Sequence, residues 1–153
     1  LREIFARQTQ LPPNQAMLYY TRNGRQLVGT VADLGSSGMS PNDKARTIVE
    51  RLIEGKDQQF LRSPIPPGTT VNSVFVTGNL VIVNLSREFM TNLEPGVDAE
   101  MLAVFSIVNS VLDNVESTDA VQILIEGEKV LSLGGHVDLQ SPLIANKSIT
   151  RSS

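Results

Sequence analysis

From Asp98 to Leu112, six large apolar side chains (Met101, Val104, Phe105, Val108, Val111 and Leu112) recur at i, i+3, i+4, i+7, i+10 and i+11. This spacing places them on one face of an α-helix, and the face must be covered by something. Such a stripe can lie on a membrane or a partner helix. Here the opposite face carries no Lys or Arg, so packing on a sheet of the same chain is the expected arrangement.

Segments with strand character are present on both sides of this helix. Ala16 to Thr21 and Gln26 to Asp33 flank Asn23-Gly24, and Thr70 to Thr77 and Leu80 to Leu85 flank Gly78-Asn79, the turn chemistry of two hairpins. In the second, Val74 and Val76 are expected on one face and Val71 and Phe75 on the other. The nearly continuous apolar run Leu80–Leu85 predicts a central strand covered in part on both faces. Asp119 to Glu126 predicts a further strand, with Val130, Leu131 and Leu133 as its hairpin partner. A first helix begins at Ser40-Pro41-Asn42-Asp43, where Ser40 caps and Pro41 takes the first position; Ala45, Ile48, Val49, Leu52 and Ile53 share a face, and Gly55 ends it. Phe60 and Leu61 are expected to tuck a loop against the core. Ser63 to Gly68 reads as a rigid proline-rich connector, and Ser86 as the cap of a short helical turn.

The resulting order is ββ-α-ββ-α-ββ: an α+β fold, one domain, with an antiparallel or mixed sheet and two main helices. The domain is expected over residues 16–143, after a polar lead-in over 1–15 that contains Pro12-Pro13 and before a disordered tail over 144–153. A chain of 153 residues can bury a core of its own. Its net charge of −3, with no Lys/Arg cluster, argues against a nucleic-acid partner. With no Cys there are no disulfides, no thiol catalysis and no Cys-ligated metal. No apolar run reaches the ~20 residues of a membrane span. Because the chain starts at Leu1 rather than Met, a trimmed fragment is expected, whose membrane attachment, if any, runs through an upstream anchor.

The candidate site is Leu133-Gly134-Gly135-His136-Val137-Asp138-Leu139, which holds the single histidine. His136 and Asp138 suit a metal pair, an acid/base pair or a tie within a turn. Companions that would complete a catalytic or cofactor set are not apparent. Gly35-Ser36-Ser37-Gly38 lacks nucleophile-elbow spacing, zinc wants three or four protein ligands, and Glu126 and Glu128 read as solvated turn charges. No phosphate-loop or dinucleotide pattern accompanies the glycines. The expectation is therefore no enzyme and no cofactor, with Gly134, Gly135, His136 and Asp138 forming a structural closure. In it the glycines release the chain from the last hairpin, and His136 or Asp138 ties the segment to backbone groups.

Several segments in their order and spacing resemble one family. These are Leu18-Tyr19-Tyr20, Leu52-Ile53-Glu54-Gly55, Ile65-Pro66-Pro67-Gly68-Thr69, Val83-Asn84-Leu85-Ser86-Arg87-Glu88-Phe89, Ile107-Val108-Asn109, Val121 to Gly127, and Gly134 to Leu143. Together they resemble the GerM domain of bacterial sporulation and germination proteins and of envelope lipoproteins. Asn84 departs from the pattern, which commonly has Asp there. The resemblance implies an α+β domain similar in fold to small ring-building domains, acting outside the cytoplasm in the cell envelope and often anchored upstream. It implies a role in assembling envelope complexes and carries no settled catalytic residues. The expected function is thus a non-catalytic interaction module whose partner is an envelope protein or a second copy. The alternative is a carbohydrate- or peptidoglycan-related module, binding or hydrolytic, centred on His136 and Asp138; with two Tyr and no Trp, the chain is poorly supplied with sugar-stacking platforms.

Overall fold

A computed structural model describes residues 11–55 and 60–151. The elements are β1 (Gln15–Thr21), β2 (Leu27–Asp33), α1 (Pro41–Glu54), β3 (Val71–Thr77), β4 (Leu80–Leu85), α2 (Glu88–Thr91), α3 (Val97–Asn114), β5 (Ala120–Ile125), a 3-10 turn (Lys147–Ile149) and β6 (Thr150–Arg151). The fold is α+β. Its strands form two three-stranded sheets, ordered β1-β2-β6 and β3-β4-β5. Both are mixed: each starts with an antiparallel hairpin and adds a parallel strand, β6 on β2 and β5 on β4. Residues 1–10 of the expected lead-in lie outside the described residues, and Gln15 is already strand.

α1 forms as its sequence dictates. Ser40 Oγ accepts from Asp43 N–H at 3.1 Å, Pro41 starts the helix, and Ala45, Ile48, Val49 and Leu52 are buried. The opposite face is solvated, where Arg46 and Glu50 pair at 3.2 Å across one turn.

α3 is more deeply embedded than a one-sided stripe predicts. Every residue from Leu102 to Val111 is buried, between β1, β5 and α1. Its polar residues Ser106, Ser110 and Asn114, spaced four apart, lie along the outer edge of β1. Asn114 exchanges two hydrogen bonds with the Met17 backbone, 2.9 Å from Met17 N to Oδ1 and 2.8 Å from Nδ2 to Met17 O. Ser110 Oγ accepts from Tyr19 N–H at 3.0 Å, and Ser106 Oγ donates to Tyr19 O at 2.6 Å. Side chains of α1 do the same for β3: Asn42 Oδ1 accepts from Val76 N–H at 2.7 Å, and Arg46 Nη2 donates to Val71 O at 3.3 Å. A helix thus partners backbone groups on the outer edge of each sheet's first strand, one way of blunting an edge.

β4 is central and covered in part on both faces, as expected: Val81, Val83 and Leu85 are fully buried, and Leu80, Ile82 and Asn84 on its other face are half-buried. The sequence expectations fail at four places. A register shift between Val71 and Ser73 brings Val71 onto the core side with Val74 and Val76. Leu61 is buried, whereas Phe60 is 92% exposed. Ser86 Oγ accepts from Thr70 N–H at 2.9 Å instead of capping α2.

The fourth difference is the largest. β5 pairs with β4 in parallel, and the expected returning strand is reduced to isolated bridges, Ile125 with Glu128 and Val121 with Leu143. The backbone amides of Leu133, Gly134, His136 and Val137 are committed elsewhere, as the next subsection describes. Residues 144–151, expected as a disordered tail, are held on polar groups of α3 that an amphipathic reading leaves to solvent. Asn109 and Asn146 exchange hydrogen bonds of 2.8 and 2.9 Å, and Lys147 binds Asp113 and Tyr19 before β6 joins β2.

Candidate functional site

Glu100 lies in the first turn of α3 and is fully buried. A buried carboxylate needs hydrogen-bond donors in place of water. Glu100 finds them in the segment that contains the histidine. Oε1 accepts from Gly134 N–H at 2.9 Å and from His136 N–H at 3.3 Å. Oε2 accepts from Val137 N–H at 2.9 Å and from Leu133 and His136 N–H at 3.3 Å each. The segment curls around the carboxylate as a nest of backbone amides, a geometry suited to anions.

The two glycines have separate physical reasons. At Gly134 a Cβ would stand 2.9 Å from Glu100 Oε1, so the close approach excludes a side chain. Gly135 has φ +97°, a conformation costly for any residue with a Cβ; its N–H donates to Ser132 Oγ at 2.8 Å. The His136 and Asp138 side chains are both exposed and form no ion pair with each other. Asp138 Oδ1 accepts from Gln140 N–H at 2.9 Å, an Asx-type turn. Of the four candidate residues, Gly134 and His136 therefore converge through their backbone N–H groups on a glutamate that sequence reasoning passed over, while Gly135 and Asp138 serve the turns beside it. The signal for Glu100 was slight: with Asp98 it is one of two acids in the first turn of the helix, which normally read as favourable interaction with the helix dipole. Among the described residues no group of three or more His, Cys, Asp or Glu is placed to hold a metal ion.

A second feature follows from the register of β3-β4-β5. Its outer face is made of three rows, Ser73-Asn84-Leu124, Phe75-Ile82-Gln122 and Thr77-Leu80-Ala120, with no charged side chain among them. The β5 side is closed over Gln122, whose Nε2 donates to Leu139 O at 2.9 Å. The β3 side is open, and Phe75 is 55% exposed there.

On the far side of α3, Tyr19 donates its hydroxyl to Asp113. Lys147 donates to both, lying 4.6 Å from the centre of the Tyr19 ring. Burial, the hydrogen bond to Asp113 and the Asp113 charge together push the Tyr19 hydroxyl well above its ordinary pKa.

Residues 17–131 match the Germane family, described as sporulation and spore germination. Comparison with curated protein sequences gives no match. Solved structures of similar fold include the first GerMN domain of the sporulation protein GerM from Bacillus subtilis, at 21% identity and TM-score 0.68 over 88% of this chain and 98% of that one. The tandem GerMN domains of the same protein match at 22% identity and TM-score 0.67, over 85% of this chain and 45% of theirs. A candidate lipoprotein from Clostridium perfringens matches at 22% identity and TM-score 0.62, over 85% of this chain and 86% of that one.

Proposed function

The chain belongs to the Germane family of sporulation and spore-germination domains, and on that basis we propose that it is a non-catalytic module of the cell envelope that assembles with an envelope protein or with itself. The observation that carries this reading is the charge-free outer face of β3-β4-β5, with Phe75 55% exposed at its centre row. Exposed apolar patches on a folded domain mark interaction surfaces. The recruiting surface is a sheet face rather than the outer edges of β1 and β3, because helix side chains already partner backbone groups there. An extracytoplasmic setting, with attachment through an upstream anchor, is part of the same proposal and is supported by the likeness to a candidate lipoprotein.

The peptidoglycan-related reading centred on His136 and Asp138 draws no support from the geometry, since the amides of that segment are turned inward to Glu100. The favoured reading predicts concentration-dependent self-association in analytical ultracentrifugation, or crosslinked capture of an envelope protein, lost in Phe75→Asp. A lone monomer with no captured partner overturns it.

A further inference from the structure

The proline-rich connector does more than link α1 to β3. Together with the start of α3 it encloses an open cleft of about 440 Å³, within the size range of small-ligand sites. Its walls are fixed in place. Arg62 exchanges backbone hydrogen bonds with Thr21 of β1 at 2.9 and 3.0 Å, Ser63 Oγ donates to Leu52 O of α1, and Asn92 Nδ2 donates to Pro67 O at 2.7 Å. Proline φ angles are fixed already. A ligand entering the cleft therefore has little protein to order, which lowers the cost of binding.

The charges at its rim form no ion pair among the described residues. Arg62 stands on the connector wall, and Glu94 and Asp98 stand on the α3 wall. Among the described residues the ion pairs are Arg46–Glu50 and Lys147–Asp113, so none of these three is paired with another described residue. Between them the lining mixes aliphatic Pro64, Pro66 and Leu102 with polar Thr21, Ser63 and Asn92, as an extended backbone with short side chains requires. A phosphate or other simple anion would meet the two carboxylates, and a simple cation would meet the guanidinium. A sugar would lack an aromatic platform, since no aromatic residue lines the cleft. A ligand carrying both signs answers both walls.

We propose that this cleft binds a short extended peptide with free termini, its carboxylate on the Arg62 guanidinium and its amine against Glu94 and Asp98. The volume suits two or three small residues. Because all three charged side chains are exposed, each contributes modestly, and selectivity comes from their opposed placement.

The test is a titration of the full chain, followed by amide chemical shifts, with trialanine carrying free termini and with the same peptide acetylated and amidated. Free trialanine is expected to give saturable shifts at residues 62–65 and 97–102 that weaken with salt. Arg62→Ala and the pair Glu94→Gln/Asp98→Asn are each expected to weaken binding about threefold to fivefold while leaving the thermal midpoint in place. Absence of saturable shifts at these residues overturns the proposal. Equal binding of the blocked peptide, or undiminished binding by folded Arg62→Ala, overturns it as well. Neither result bears on self-association through Phe75, which stands on a different surface.

Discussion

The Glu100 carboxylate and the Gly134 backbone fit so closely that a Cβ at position 134 would stand 2.9 Å from Oε1. That oxygen also accepts the Gly134 N–H at 2.9 Å. Gly134→Ala must displace the carboxylate, and Glu100→Gln places an amide NH₂ among backbone N–H groups. Each is expected to cost about 1–3 kcal/mol in urea unfolding. The double variant should cost less than the sum, because both remove the same set of hydrogen bonds. Strict additivity would mean that the nest is not one unit.

His136→Ala tests how the segment holds itself. Only the backbone N–H of His136 is engaged, and its side chain is exposed. The expected change is within about 0.5 kcal/mol, as for surface substitutions generally. Of the two ties expected from the sequence, His136 or Asp138, the side chain that bonds backbone is Asp138, on Gln140 N–H. A loss of more than about 1.5 kcal/mol in His136→Ala would make the imidazole a tie as well.

Asn114→Ala removes two hydrogen bonds from the outer edge of β1. We expect a loss of about 1–3 kcal/mol, with the Met17 amide exchanging faster with deuterium in the native state. Unchanged exchange at Met17 would show that the helix does not guard this edge.

Alkaline titration tests the Tyr19 cluster. With its pKa raised in the folded protein and ordinary when unfolded, Tyr19 keeps its proton in the native state while the unfolded chain releases one. Stability is therefore unaffected by this group below about pH 10 and falls as pH rises above it, by at most about 1.4 kcal/mol per pH unit. Tyr20 is shifted in the same direction, chiefly by burial, and adds to the slope. Tyr19→Phe should lower stability by about 1 kcal/mol at neutral pH and flatten the decline above pH 10. An unchanged slope would contradict the assignment.

Elements whose signals are local were legible in the sequence: the Ser40 cap, the hairpin at Gly78-Asn79 and the apolar positions of α1 follow from neighbours a few residues away. The family was legible too, because its motifs are ordered along the chain. What was not legible depends on pairing at long range between polar groups. Ser106, Ser110 and Asn114 look like the wet side of an amphipathic helix until β1 is placed beside them. Glu100 looks like an ordinary first-turn acid until residues 133–137 curl around it. Val130, Leu131 and Leu133 have strand composition, but composition does not reveal that a carboxylate has claimed the amides that follow. In the candidate site the glycines stand out locally, while the carboxylate that Gly134 meets lies 34 residues upstream of it.

The guarding of β1 by α3 also has a consequence in time. Met17 and Asn114 are separated by 97 residues, so during synthesis the β1-β2 hairpin leaves the ribosome well before the helix that covers it exists. Throughout that interval its outer edge is a template for a neighbouring nascent chain. A cell that delays folding until the whole chain is available, as export in an unfolded state does, avoids that hazard altogether.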